Sequence, residues 1–295
     1  MTTWILLRGL VREQAHWDGF AERLAGVLGA GNRVLPLDLP GNGVFFRGTS
    51  PTRVAGMVAA ARRDLADQGV TGPVRLVALS LGGMVAVEWL RRHPEQLLGA
   101  ALINSSAAPF SPFWRRLRPA NYGRIVCQGL LSRDRLARER MILDLTTHHL
   151  SAAERDDIAE RFRTVDALRP VSAANTVRQL WAAARFRAPR TLPAGPSVLI
   201  VNGAGDRLVH PACSRALARA WHCPLAVHPD GGHDLSLDAP DWLAATLAAW
   251  GGGHQESGDQ GRGDQGRGDQ GRGDQGRGDQ GRGDQESGDQ ETPPR

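Results

Sequence analysis

The stretch VRLVALSLGGMVAVEW, residues 74–89, passes from an unbroken apolar run into a helical pattern, with Ser80 at the junction and two glycines close behind it. An apolar run without alternation is the mark of a strand covered on both faces. An ordinary strand-to-helix turn needs at most one glycine. Here Ala78, Gly82 and Gly83 surround the serine, and so many small residues leave room for other groups to approach its hydroxyl.

The same alternation runs outward in both directions. Residues 4–7, 34–37, 74–79, 100–103, 198–201 and 225–227 read as strands, and residues 17–28, 53–68, 84–92, 211–221 and 240–250 have helical spacing. Strand and helix in turn predict an α/β fold, a mostly parallel sheet with helices on both faces. Between Ile103 and Val198 the pattern is helical only, at 133–147, 152–163 and 175–187. An insertion of that length between neighbouring strands reads as a helical cap. The expected division is a core of residues 1–109 and 191–250, a cap of residues 110–190 and a tail of residues 251–295.

The tail contains GRGDQ five times, from Gly261 to Gln285, and has no large apolar residue. It cannot offset the entropy of ordering and is expected to be disordered. Its Arg-Gly-Asp triplets follow from the five-residue repeat and are not read as an adhesion signal. The net charge of +5 is unevenly spread, because residues 110–190 hold sixteen arginines against eight acids. All the basic residues are arginine, which excludes a phosphate-loop lysine and a Schiff-base lysine. Three cysteines make no disulfide framework, and no apolar run has the length of a leader core or a membrane span. A cytoplasmic protein acting on a small molecule is expected, with neither nucleic acid nor membrane as partner; the oligomeric state is left open.

Turns after parallel strands gather at one edge of a sheet, where ligands bind. Three reactive residues fall on such turns: Ser80, Asp206 and His233. A serine hydroxyl becomes a useful nucleophile when a base takes its proton. His233 is the candidate base, and Asp206 the carboxylate that fixes its tautomer. The plainer alternative is that Asp206 only caps the following helix. Asp230 and Asp234 are rival acids, but both lie too close to His233 in sequence to reach its ring easily. The N–H of Leu81, directly after the serine, is one donor to a developing oxyanion. The N–H of Leu10, in a turn that Gly9 permits after the first strand, is the other.

The segments RGL (8–10), DLPGNG (38–43), ALSLGG (78–83), NGAGDRLV (202–209) and GGHDL (231–235) together resemble those of a capped, single-domain, carboxylesterase-like serine hydrolase of the α/β-hydrolase fold, across residues 1–250. The resemblance implies hydrolysis of a small to medium acyl ester through an acyl-enzyme intermediate, with no cofactor and no metal. Many relatives have His-Gly at Arg8-Gly9, and Ala78 replaces the usual first glycine of the elbow. Serine rather than aspartate at position 80 argues against the dehalogenase and epoxide-hydrolase branches. The same site could serve acyl transfer or carbon–carbon bond hydrolysis, and a binding protein without turnover could also keep it.

Other features are read more plainly. GNGVFFRG (41–48) lacks the third glycine and the helix of a dinucleotide loop, so it reads as a border of the site mouth, with Phe45 facing it. Trp114 and Trp181 are candidate walls of an acyl pocket, or else packing residues. His210, Cys213, His222 and Cys223 lack zinc-ligand spacing and read as packing. His148 and His149 are expected to be exposed, pointing apart on a helix.

Overall fold

The computed structural model describes residues 1–252, and the GRGDQ repeat lies outside them. Six strands, β1 (Thr2–Leu7), β2 (Asn32–Leu37), β3 (Val74–Leu79), β4 (Leu97–Ile103), β5 (Ser197–Gly203) and β6 (Leu225–His228), form one sheet in the order β2-β1-β3-β4-β5-β6. Every neighbouring pair is parallel. The chain leaves β1 for β2 on one side and returns to β3 on the other. The crevice between the ends of β1 and β3 is therefore the topological switch point of the sheet.

The unbroken apolar strands are explained by two cores. Ile5, Leu7, Leu76 and Ala78 face one, with α2 (Val54–Asp67), α3 (Leu81–Arg92) and the helix Ala212–Trp221. Trp4, Leu6, Val77 and Leu79 face the other, with α1 (Phe20–Leu28) and the helix Pro240–Gly252. Some strands outrun their apolar runs. Thr2 and Thr3 pair with Asn32 and Arg33, so ladder hydrogen bonding carries β1 and β2 past the point where burial ends.

Helices fill the connection from β4 to β5. Asp134, Ser151 and Ser172 each accept a backbone N–H from the first turn of the helices Arg135–Thr146, Ala152–Leu168 and Ala173–Arg185. A small separate core of Leu143, Ile158, Ala159 and Phe162 packs on Leu237 of the body. No helix among the described residues is long and apolar enough to cross a membrane.

At the switch point α3 passes very close to β1. A Cβ on Gly82 would lie 2.5 Å from the Leu7 carbonyl oxygen and 2.8 Å from that of Arg8. Gly26 in α1 faces open space. Gly82→Ala should therefore cost about 1–3 kcal/mol by overpacking, whereas Gly26→Ala should be neutral or stabilising by about 0.5–1 kcal/mol. Chemical denaturation of the two variants checks this, and equal effects would contradict the packing described.

Candidate active site

Ser80 stands between β3 and α3 with φ 57° and ψ −113°, a conformation that side chains rarely adopt. The body holds it there. Its N–H donates to Ile103 C=O at 2.9 Å, and its carbonyl accepts from Gly83 N–H at 3.0 Å and Ser105 Oγ at 2.9 Å. Ser105 also occupies the space that a side chain on Gly83 would need. The loop after β1 runs beside the serine, since a Cβ on Gly9 would be 3.2 Å from Ser80 Cβ.

The structure brings Asp206 and His233 together, with Nδ1 of His233 2.7 Å from Asp206 Oδ2 and both side chains buried. A carboxylate only accepts, so Nδ1 carries the proton and Nε2 presents its lone pair. The other oxygen, Oδ1, accepts the N–H groups of Leu208 and Val209 at 2.8 and 2.9 Å. These two bonds close a local turn rather than cap the following helix, which begins at Ala212 after Pro211, so Asp206 partners His233 without the capping role that the sequence left open. Nε2 of His233 makes no hydrogen bond to Ser80 among the described residues, and such contacts are often loose before a substrate binds. Ser80 and His233 are tied through the backbone instead. Asn104 donates to the carbonyls of Gly232 and His233 at 3.0 and 2.9 Å, and the next residue, Ser105, holds Ser80.

The rival acids do other work. Asp234 makes a two-pronged buried pair with Arg8, at 3.1 and 2.5 Å, and accepts from Ser236 Oγ at 2.6 Å. Burial alone would raise its pKa; the Arg8 charge and these hydrogen bonds outweigh burial and hold it below the usual carboxylate range. Asp230 lies in the turn after β6, beside His149 and His228 rather than His233.

Leu81 opens α3, where first-turn N–H groups have no acceptor in the helix. Leu10 lies in a turn closed by Arg12 N–H on Gly9 C=O. The adjacent Val11, itself at φ 52°, gives its N–H to Gln179 Oε1 at 2.9 Å. Gln179 is fully buried in the insertion and also binds Asn42 and Ser50. Sequence reading missed Asn104, Ser105 and Gln179, because their partners lie far off in the chain.

A cavity of about 120 Å3 opens between the insertion and these turns, lined by Val11, Ile125, Met141, Ile142, Leu145 and Leu208 among others. Another of its lining residues, Thr146, accepts Asp234 N–H at 2.8 Å, so the wall abuts the His233 loop. Phe45, Trp114 and Trp181 are not among its lining residues. Phe45 borders a separate groove beside α2 with Asp38, Ala60 and Arg63. Trp114 and Trp181 are each 53% exposed, Trp181 under the guanidinium of Arg185.

A model of the alpha/beta hydrolase family matches residues 4–246. Similar solved structures include BpoC of Mycobacterium tuberculosis H37Rv, a candidate non-heme bromoperoxidase, at 18% identity and TM-score 0.66, covering 84% of this chain and 91% of that one. A thermophilic esterase from Thermogutta terrifontis is 22% identical, with TM-score 0.63 and coverages of 85% and 89%. An esterase from Exiguobacterium antarcticum is 16% identical, with TM-score 0.66 and coverages of 85% and 91%. These likenesses concern the fold. No curated protein matches the chain.

His16 is buried in the short turn Gln14–Trp17, where Nδ1 accepts Glu13 N–H at 3.1 Å. Burial, then the charges of Arg12 and Arg8, push its pKa well below 6.5. The folded chain therefore keeps His16 neutral while the unfolded chain binds a proton near pH 6.5. The stability this leaves intact above pH 6.5 should be lost progressively as pH falls below it. Denaturation from pH 7.5 to 5 should show that slope in the wild type and a smaller one in His16→Gln.

Proposed function

The chain belongs to the alpha/beta hydrolase family, and we propose that it hydrolyses a neutral carboxylic ester with a short acyl group through Ser80, His233 and Asp206. The observation that carries this reading is the strained backbone of Ser80, held by three hydrogen bonds at the mouth of the switch-point crevice. A residue at such φ and ψ costs on the order of 1–3 kcal/mol and persists where the surroundings enforce it. The strain lifts Oγ clear of the sheet. His233, polarised through Nδ1 by Asp206, supplies a base of the right tautomer.

In the proposed reaction Oγ attacks the ester carbonyl as His233 Nε2 takes its proton. The N–H groups of Leu81 and Leu10 hold the tetrahedral oxyanion. Collapse returns the proton to the leaving alcohol and leaves an acyl-serine. A water, deprotonated by the same histidine, then releases the acid. Each of these steps is a proton or acyl transfer.

The acyl group is assigned to the cavity between the insertion, acting as a cap, and the catalytic turns. At about 120 Å3 it falls below the roughly 300–1,000 Å3 of drug-sized sites, so a short chain fits. Its lining is mostly aliphatic, and the charged residue on it, Arg138, is paired with Asp166. Many cap arginines are also paired: Arg124 and Arg155 with Asp144, Arg138 with Asp166, and Arg140 with Asp156. The neutral ester follows from both.

Ser80→Ala should abolish hydrolysis and fluorophosphonate labelling without changing the melting temperature by more than a few degrees. Asp206→Asn should lower kcat by a factor of roughly 10⁴ by disfavouring the productive tautomer. Labelling that survives in Ser80→Ala would overturn the assignment.

Leu145→Ala should shift preference toward a longer acyl chain, by about 0.8 kcal/mol for each methylene newly buried. Trp181→Ala should leave it unmoved. A p-nitrophenyl ester series from acetate to octanoate measures both.

A further inference from the structure

We propose that His149, His228 and Asp230 form a binding site for a divalent transition-metal ion of the zinc class, linking the end of a cap helix to the loop that carries His233. None of the three has a part in the proposed ester hydrolysis. His149 follows the helix Arg135–Thr146, His228 ends β6, and Asp230 lies in the turn leading to His233. Contrary to the sequence expectation, His148 and His149 do not point apart on a helix. Their rings stack on each other and both contact Asp230.

The spacing of the donor atoms fits such an ion. His149 Nε2 is 3.1 Å from Asp230 Oδ1, His228 Nδ1 is 3.2 Å from that same oxygen, and all three donor atoms lie within 4.8 Å of one another. With bonds of 2.0–2.1 Å, ligands around a tetrahedral zinc stand about 3.3 Å apart. Two edges of the triangle already have that length. Two imidazoles and a carboxylate also match the ligand preference of zinc and its neighbours.

The donor chemistry of the cluster suits a cation as well. His228 Nδ1 accepts Gly231 N–H at 2.9 Å, so it carries a lone pair. The same nitrogen lies 3.2 Å from Asp230 Oδ1, so a donor able to bind a metal sits beside the carboxylate. A second imidazole nitrogen converges on the same oxygen from the cap.

The donors are held in place from behind. Asp238 accepts the N–H groups of His148 at 2.8 Å and His149 at 2.7 Å, and that of Gly232 at 2.6 Å. His148 Nδ1 lies 2.7 Å from the Asp230 carbonyl, and Trp242 packs edge-on against His228 at 5.0 Å. Such supporting contacts orient metal ligands. The side chains of His149 and Asp230 are 39% and 58% exposed, so an ion can enter and keep water on its remaining positions. Loading through His228 Nδ1 takes the lone pair used by Gly231, so the turn two residues before His233 must adjust.

The test is titration of the metal-stripped full-length chain with Zn²⁺ by calorimetry, and with Co²⁺ by visible absorption. The expected result is one saturable Zn²⁺ per chain, a tetrahedral Co²⁺ spectrum and a raised melting temperature. His149→Ala and Asp230→Asn should each weaken binding by more than about tenfold, while His222→Ala leaves it unchanged. Binding should persist in Ser80→Ala, which separates this site from the proposed hydrolysis. Absence of saturable binding, or wild-type affinity in both His149→Ala and Asp230→Asn, would overturn the proposal.

Discussion

The close approach of α3 to the end of β1 governs the arrangement around the sheet edge. With only hydrogen on residue 82, the helix backbone settles against the carbonyls of Leu7 and Arg8. The turn before it then has no slack, and Ser80 is driven to positive φ. The same approach sets the loop after β1 beside the serine, so that Gly9 nearly touches its Cβ. Because β1 and β3 flank the switch point, one steric constraint places the Ser80 hydroxyl and a set of backbone N–H groups at the crevice where parallel sheets bind ligands. The strain stays in place because β4 receives the turn: Ile103 and Ser105 hold the two sides of the Ser80 peptide.

Charge governs the loop after β1. Arg8 pairs with Asp234, Arg12 with Glu139 and Glu13 with Arg169, while Gln14 N–H is taken by Asp38. Arg8, Arg12, Glu13, Asp234 and Glu139 are all buried. Buried pairs add little net stability, because desolvation offsets their attraction, but an unpaired survivor is costly. Their effect is to select one loop conformation over alternatives that would strand a charge. This also accounts for much of the Arg excess between β4 and β5. Arg161 and Arg169 are committed to Asp18 and Glu13 of the body, so they dock the insertion rather than create a free positive field.

The legible parts of the molecule were those written in local pattern. Apolar runs announced all six strands, and the small residues around Ser80 announced the elbow before any partner was known. Asp206 and His233 could be paired because both follow parallel strands, whose ends must lie on one edge. Distant contacts were not legible. Arg8 stood out only as a departure from relatives, and its partner Asp234 is 226 residues away. Asn104 and Ser105, just after β4, carry no local signal, yet they tether both halves of the site. Large aromatic rings left lining and packing both open; Trp114 and Trp181 are half exposed, and smaller aliphatic residues such as Ile125 and Leu145 line the cavity under the insertion.

The contacts divide the site into two mechanical parts. Ser80 and His233 are both referenced to β4, through consecutive residues Ser105 and Asn104, and so to the sheet itself. Leu10 is referenced to the insertion, since its neighbours Val11, Arg12 and Glu13 bind Gln179, Glu139 and Arg169. A displacement of the insertion leaves the serine and histidine in register but carries the Leu10 N–H with it. In the proposed reaction the nucleophile and base are therefore permanent, while one oxyanion donor depends on how the insertion is seated. An acyl chain filling the cavity under that insertion touches Val11 directly. In the proposed reaction the chain that fits best is then the one that sets the donor, so that acyl recognition and transition-state stabilisation would be coupled in a single loop.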